Sequence, residues 1–145
     1  MRVEEKVSVA APPAAVWAVV SDPLVLGRLS DDIRVDELEP GTVPGIGARY
    51  RVLINVGAVP VGGTVEVMEF SKDRDLAWTT ITGVDHRIRL KVREIPAGSQ
   101  LTLRFGYNSP GLLGPVADLA AFLSLRRTLR HLLGLVVWEV EVTRS

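Results

Sequence analysis

The chain contains no cysteine, which removes disulfides, thiolate metal sites, iron–sulfur clusters and thiol catalysis from consideration. Histidine is scarce as well: His86 and His131 are the only two among 145 residues, too few for an all-protein transition-metal site. Net charge is lacking. Lys plus Arg and Asp plus Glu number 17 each, so bulk charge would not hold the protein to nucleic acid or anionic lipid. Long apolar runs are missing too, and the longest, Leu132 to Trp138, falls well short of the ~18 residues a membrane span requires. At the N-terminus Arg2 is followed by Glu4 and Glu5, and Pro12 and Pro13 break the apolar stretch, which does not read as a signal peptide. These absences lead us to expect a soluble cytoplasmic protein, monomer or homodimer, with no metal, no cofactor, no nucleic-acid partner and no stable membrane insertion.

What is present is an ordinary globular balance, 47% hydrophobic and 23% charged, without repeat, linker or low-complexity tract. One domain over residues 1–145 is expected, and about two-thirds of the unfolded surface can be buried at this length. Val3 to Val9 alternates as a strand. Pro13 then opens a short helix to Val20, and Ser21-Asp22-Pro23 starts a second one to about Leu29. From Ile33 the pattern is strand after strand: Ile33–Leu38, Arg49–Val56, Gly62–Phe70, Leu76–Thr82, Asp85–Ile95 and Gln100–Tyr107. Their short connections favour antiparallel hairpins. The last third changes period. Leu119, Phe122, Leu125, Leu129, Leu132, Leu133, Val136 and Val140 fall on one side of a helical wheel, predicting a helix of about 25 residues behind Gly114-Pro115. Gly134 and the closing Val-Trp-Glu-Val-Glu-Val leave its end open between helix and strand.

The order therefore predicts an α+β fold: a curved seven-stranded antiparallel sheet, two short helices after the first strand, and a long C-terminal helix covering the apolar face. A gap between sheet and helix is the candidate pocket.

At these residues the chain resembles the START-like (SRPBCC) superfamily, in its polyketide cyclase/dehydrase and lipid-transport branch. Val7 to Trp17 with Ser21-Asp22-Pro23 is similar to that family's opening strand and helix, and Gly41 to Gly47 to its glycine-bearing turn. Gly111 to Pro115, running into Arg126 to Arg130, is similar to its helix entry and basic amphipathic helix. A second Trp that many members carry after the Asp-Pro is absent from Leu24 to Ser30. The resemblance covers essentially the whole chain. It implies the helix-grip fold and a small hydrophobic ligand such as a lipid, polyketide or terpenoid. No catalytic set carries over residue by residue.

Within that fold, Tyr50, Val52, Ile54, Trp78, Thr80, Leu90, Phe105 and Tyr107 share inward strand frames, and Asp118, Leu119 and Phe122 lie on the facing helix. They are plain core or they line a ligand cavity; the tyrosines and Trp78 are the best suited to orient a mostly apolar ligand, having a ring to bury and a polar tip. If the protein is an enzyme, a polyketide cyclase/dehydratase-type reaction would draw its acid/base groups from Tyr50, His86, Tyr107 and Asp118. His86 in register with Ile88 reads alternatively as a solvated strand end, and Asp118 as an acid placed by the helix dipole. Asn108 and Ser109 are either donors at the cavity mouth or turn formers. The Arg87, Arg89, Lys91, Arg93 and Arg104 stripe reads as a solvated sheet face, and Arg126, Arg127 and Arg130 as solvated helix positions. Gly57 to Thr64 has phosphate-loop glycine spacing, but Gly63 replaces the lysine and a strand follows.

Overall fold

A computed structural model describes residues 2–57, 59–107 and 114–144, the side chains of 114–117 and 144 excepted. The chain runs β1 (Arg2–Val9), α1 (Pro13–Val20), α2 (Pro23–Leu29), β2 (Ile33–Glu37), β3 (Arg49–Val56), β4 (Val59–Ser71), β5 (Asp75–Gly83), β6 (His86–Ile95), β7 (Gly98–Tyr107) and α3 (Gly114–Arg144). One antiparallel sheet in the order β1-β7-β6-β5-β4-β3-β2 forms a half-barrel. The alternation predicted from sequence decides which face is inside. Tyr50, Val52, Ile54 and Val56 of β3 and Ile88, Leu90 and Val92 of β6 are buried, while Arg49, Arg51 and Arg87 point outward.

Curvature comes from β4. Its pairing with β5 slips at Thr64/Val65 and again between Val67 and Glu69, which leaves Met68 without a partner. Three glycines cross at the same bend, where backbones nearly touch. A methyl group at Gly63 would fall 2.1 Å from the Thr82 carbonyl oxygen, and one at Gly62 2.0 Å from that of Val52. The spacing that mimics a phosphate loop is thus a sheet corner.

α3 is one unbroken helix of 31 residues, so Gly134 does not interrupt it and Val136–Val142 is helix rather than strand. Its buried stripe is Leu125, Leu129, Leu132, Leu133, Val136 and Val140, packed on the concave face. α1 adds Val16, Trp17 and Val20, with Trp17 edge-on to Phe70 at 5.1 Å. α2 is capped by Asp22, whose carboxylate accepts from Leu24 N at 3.0 Å.

Glu5 breaks the expected pattern. It lies in the inward frame of β1, 9% exposed, and accepts from Arg126 Nε at 2.7 Å and Arg130 Nε at 3.1 Å. The two arginines are therefore not simply solvated; they close α3 against the edge strand. Burial alone would raise the Glu5 pKa, but hydrogen bonds and charge from Arg126 and Arg130 outweigh it and hold the carboxyl below its usual 4.5. Glu5→Gln is expected to cost about 1–2 kcal/mol in urea unfolding, because the buried end loses its charge while both guanidiniums keep partial hydration. An unchanged midpoint would mean that the clasp contributes nothing. Two further ties hold α3: Gly57 N donates to Ser124 Oγ at 2.6 Å, and Ala10 N to Glu141 Oε1 at 3.1 Å.

Candidate ligand site

Strand register lines up one row of side chains across the concave face. Tyr50 on β3 pairs with Val65 on β4, which pairs with Thr80 on β5. His86 opens β6 opposite Tyr107 on β7, and His86 N donates to Thr80 Oγ1 at 3.1 Å. At about 4.8 Å per strand, Tyr50 and His86 are roughly 14 Å apart along the sheet.

His86 is 1% exposed, so it is no solvated strand end. Its ring stacks on Phe105 with centroids 5.5 Å apart and planes within 6°. Trp78 Nε1 donates to His86 Nε2 at 3.2 Å. An indole N–H can only donate, so Nε2 is an acceptor and the neutral ring carries its proton on Nδ1. No acceptor among the described residues meets that Nδ1 in full hydrogen-bond geometry; the Val84 backbone lies near enough to favour a proton there but not well enough aligned to satisfy it. Burial pushes the His86 pKa below 6.5, against smaller opposing effects of the Val84 backbone and the Asp85 carboxylate. The Tyr50 hydroxyl is the second buried polar group without a partner, on a side chain that is 0% exposed. Burial, then the Asp22 and Glu37 carboxylates, raise its pKa to about 12, so it stays protonated. The interior thus holds two neutral, unsatisfied donors, each worth about 1–3 kcal/mol to a group that satisfies it.

The other expected site residues divide. Val52, Ile54, Trp78, Leu90 and Phe105 are packed into the core at no more than 1% exposure. The Thr80 hydroxyl is engaged at the β5–β6 turn, donating to Asp85 Oδ1 at 3.1 Å. Tyr107 and Phe122 are half-buried against the core, and Asp118 is half-buried. Leu119 is a correction: it is 59% exposed. At 100° per residue it lies on the flank of the helix shared with Arg126 and Arg130, off the line through Leu125 and Leu129. Asn108 and Ser109 lie outside the described residues. Glu5 and the Trp78–His86 pair were not singled out from sequence as a clasp and a couple; an acid in an inward strand frame was the available signal for the first.

Tyr50 and His86 do not bond to each other: Tyr50 Oη has no partner among the described residues, and His86 Nε2 is taken by Trp78. Among the described residues no three ligating side chains gather into a metal site, and no helix is long and apolar enough to cross a membrane.

The His86 environment carries a pH dependence. As pH falls through 6.5, the unfolded chain takes up a proton that the folded state refuses, so stability falls by up to about 1.4 kcal/mol per pH unit until the lowered folded pKa is reached. Glu5 acts in a separate window, its stabilisation being lost only as pH drops below 4.5. Denaturant midpoints between pH 7 and pH 5 should decline in the wild type and flatten in His86→Gln, whose amide still accepts from Trp78. Parallel curves would show that His86 protonates freely in the fold.

A half-barrel gripping one long helix, with an apolar concave face and a few buried polar groups, defines the helix-grip class of folds. The family model for polyketide cyclase/dehydrase and lipid transport matches residues 1–141, and the chain belongs to that family. Among solved structures, TTHA0849 of Thermus thermophilus is 17% identical with TM-score 0.81, each chain covered in full. A START superfamily protein of Mycobacterium smegmatis is 17% identical with TM-score 0.73, 98% of each chain being covered. The ZhuI aromatase/cyclase of a Streptomyces species is 23% identical with TM-score 0.67, covering 97% of this chain and 93% of that one. These likenesses establish the fold. No curated protein sequence matches the chain. Family and fold are consistent with hydrophobic-ligand binding or a polyketide cyclase-type role.

Proposed function

We propose that the protein binds a small, mostly apolar molecule bearing oxygen acceptors between the concave face and α3. The observation that carries this reading is the pair of buried donors without partners, Tyr50 Oη and His86 Nδ1, in one row of an otherwise apolar wall. Buried polar groups are nearly always satisfied, and two left open on an apolar face call for a partner from outside the chain. Carbonyl or hydroxyl oxygens supply one. The half-buried Tyr107, Asp118 and Phe122 mark the end from which such a molecule reaches the row. A polyketide, lipid or terpenoid with oxygens at both ends suits the spacing.

Native mass spectrometry of the purified protein should reveal a co-purifying molecule of this kind, and Tyr50→Phe should weaken its retention roughly tenfold. An empty protein that also fails to take up such molecules when offered them would end the proposal.

A second reading keeps the same pocket and adds cyclisation or dehydration, with His86 and Tyr50 holding ketone oxygens while the chain folds near its attack geometry. It draws support from the buried neutral imidazole and from the likeness to ZhuI. Binding is favoured over it because Tyr50 and His86, on β3 and β6, do not bond to each other. Turnover of a poly-ketone substrate, lost in His86→Gln while binding persists, would reverse that order.

A further inference from the structure

The convex face carries a feature that neither the fold nor the interior site explains. A groove of about 580 Å³ opens there over Ala77, Thr79 and Gly106, walled by Met68 and by arginines of three strands. Gly106 is in the body of β7, its backbone is not in the left-handed region, and a methyl group there would meet nothing within 4 Å. Neither conformation nor packing requires glycine at this point, and glycine weakens a strand. A strand glycine of this kind marks a place where something approaches the backbone.

Its two cross-strand partners are Arg2 on β1 and Arg87 on β6. The neighbouring row is neutralised: Arg104 Nε lies 3.1 Å from Glu4 and Arg89 Nη2 2.8 Å from Glu69. Arg2 and Arg87 have no carboxylate or other hydrogen-bond partner among the described residues. Two free guanidiniums therefore bracket a notch two strand spacings wide, roughly 10 Å. Thr79, paired with Arg87, adds a hydroxyl. The β4 bulge sets Met68, 57% exposed, on the wall beside Ala77.

We infer that this notch binds a small organic phosphate, its anionic end between Arg2 and Arg87 over Gly106 and its apolar part on Met68. Forked guanidiniums match phosphate oxygens, and the missing side chain of Gly106 lets the phosphate sit against the sheet. The site lies on the opposite face from the proposed interior site and does not depend on it.

Phenyl phosphate is the probe, followed by amide NMR shifts at low and moderate salt. Saturable shifts at Gly106 and Arg87 are expected. Gly106→Val, whose Cβ would meet nothing within 4 Å, should keep or raise the melting temperature yet weaken binding roughly tenfold. Arg87→Gln should weaken it by a similar factor. Absence of saturable shifts, equal affinity in Gly106→Val, or inorganic phosphate binding as tightly as phenyl phosphate would each overturn the inference. So would sedimentation with phosphatidylglycerol vesicles without phenyl phosphate binding, which would make the ligand a bilayer headgroup.

Discussion

Trp78→Ala is expected to lower stability by about 3–5 kcal/mol, the range for emptying a large aromatic site in a packed core. At this chain length that corresponds to roughly 10–15 °C in melting temperature. Trp78 is 1% exposed and lies mid-sheet, opposite Val67 on one side and Ile88 on the other. Three strands thus lose contacts at once. The substitution also strips His86 Nε2 of its donor at 3.2 Å, leaving the imidazole with neither nitrogen bonded. Trp78→Phe separates the two effects: most of the volume returns, the hydrogen bond does not. Thermal unfolding of both variants should show the alanine change as the larger by at least ~2 kcal/mol. Near-equal losses would place the cost in the hydrogen bond rather than in packing.

Gly63→Ala should rival it although only one methyl group is added. The new carbon would fall 2.1 Å from the Thr82 carbonyl oxygen and 3.0 Å from Gly83 Cα. Both obstacles are backbone, and β4 is held between β3 and β5, so no side chain can turn aside. Overpacking costs about 1–3 kcal/mol where neighbours yield, and here they yield least; a loss of about 3 kcal/mol or more is expected, with reduced soluble expression. Gly106→Ala is the control, an identical change in the same sheet with open space around it, and it should be neutral or slightly stabilising. If the two variants melt together, the corner is softer than its distances imply.

Much of the architecture was legible because it is written in periodicity. Ile88, Leu90 and Val92 alternating with Arg87, Arg89 and Lys91 can only be a strand with one wet face, and Leu125 to Val140 repeats at helical spacing for four turns. Residues that depart from such patterns were less legible. Glu5 sits in an inward frame because two arginines more than 120 positions away reach it, and strand alternation is blind to that. Leu119 satisfies the apolar rule yet stays exposed, since wheel position defines a flank but not how far the sheet extends beneath it. His86 looks like a strand terminus until Phe105 and Trp78 enclose it. The glycine pair at 62 and 63 invites a ligand reading in one dimension and becomes a crossing of three strands in space. In each case the deciding neighbour is remote in sequence.

The pairing of β1 with β7 has a consequence for how the molecule is made. Arg2 lies against Gly106 and Val9 against Ser99, so β1 is synthesised long before β7, its mate. Until some hundred further residues have left the ribosome, that segment stays unpaired, and the greasy inner wall stays open to water until α3 follows. Non-local closure of this kind slows folding and exposes sticky edges in the meantime. Nascent chains stalled before residue 107 should therefore engage holding chaperones, and release should coincide with emergence of the final helix.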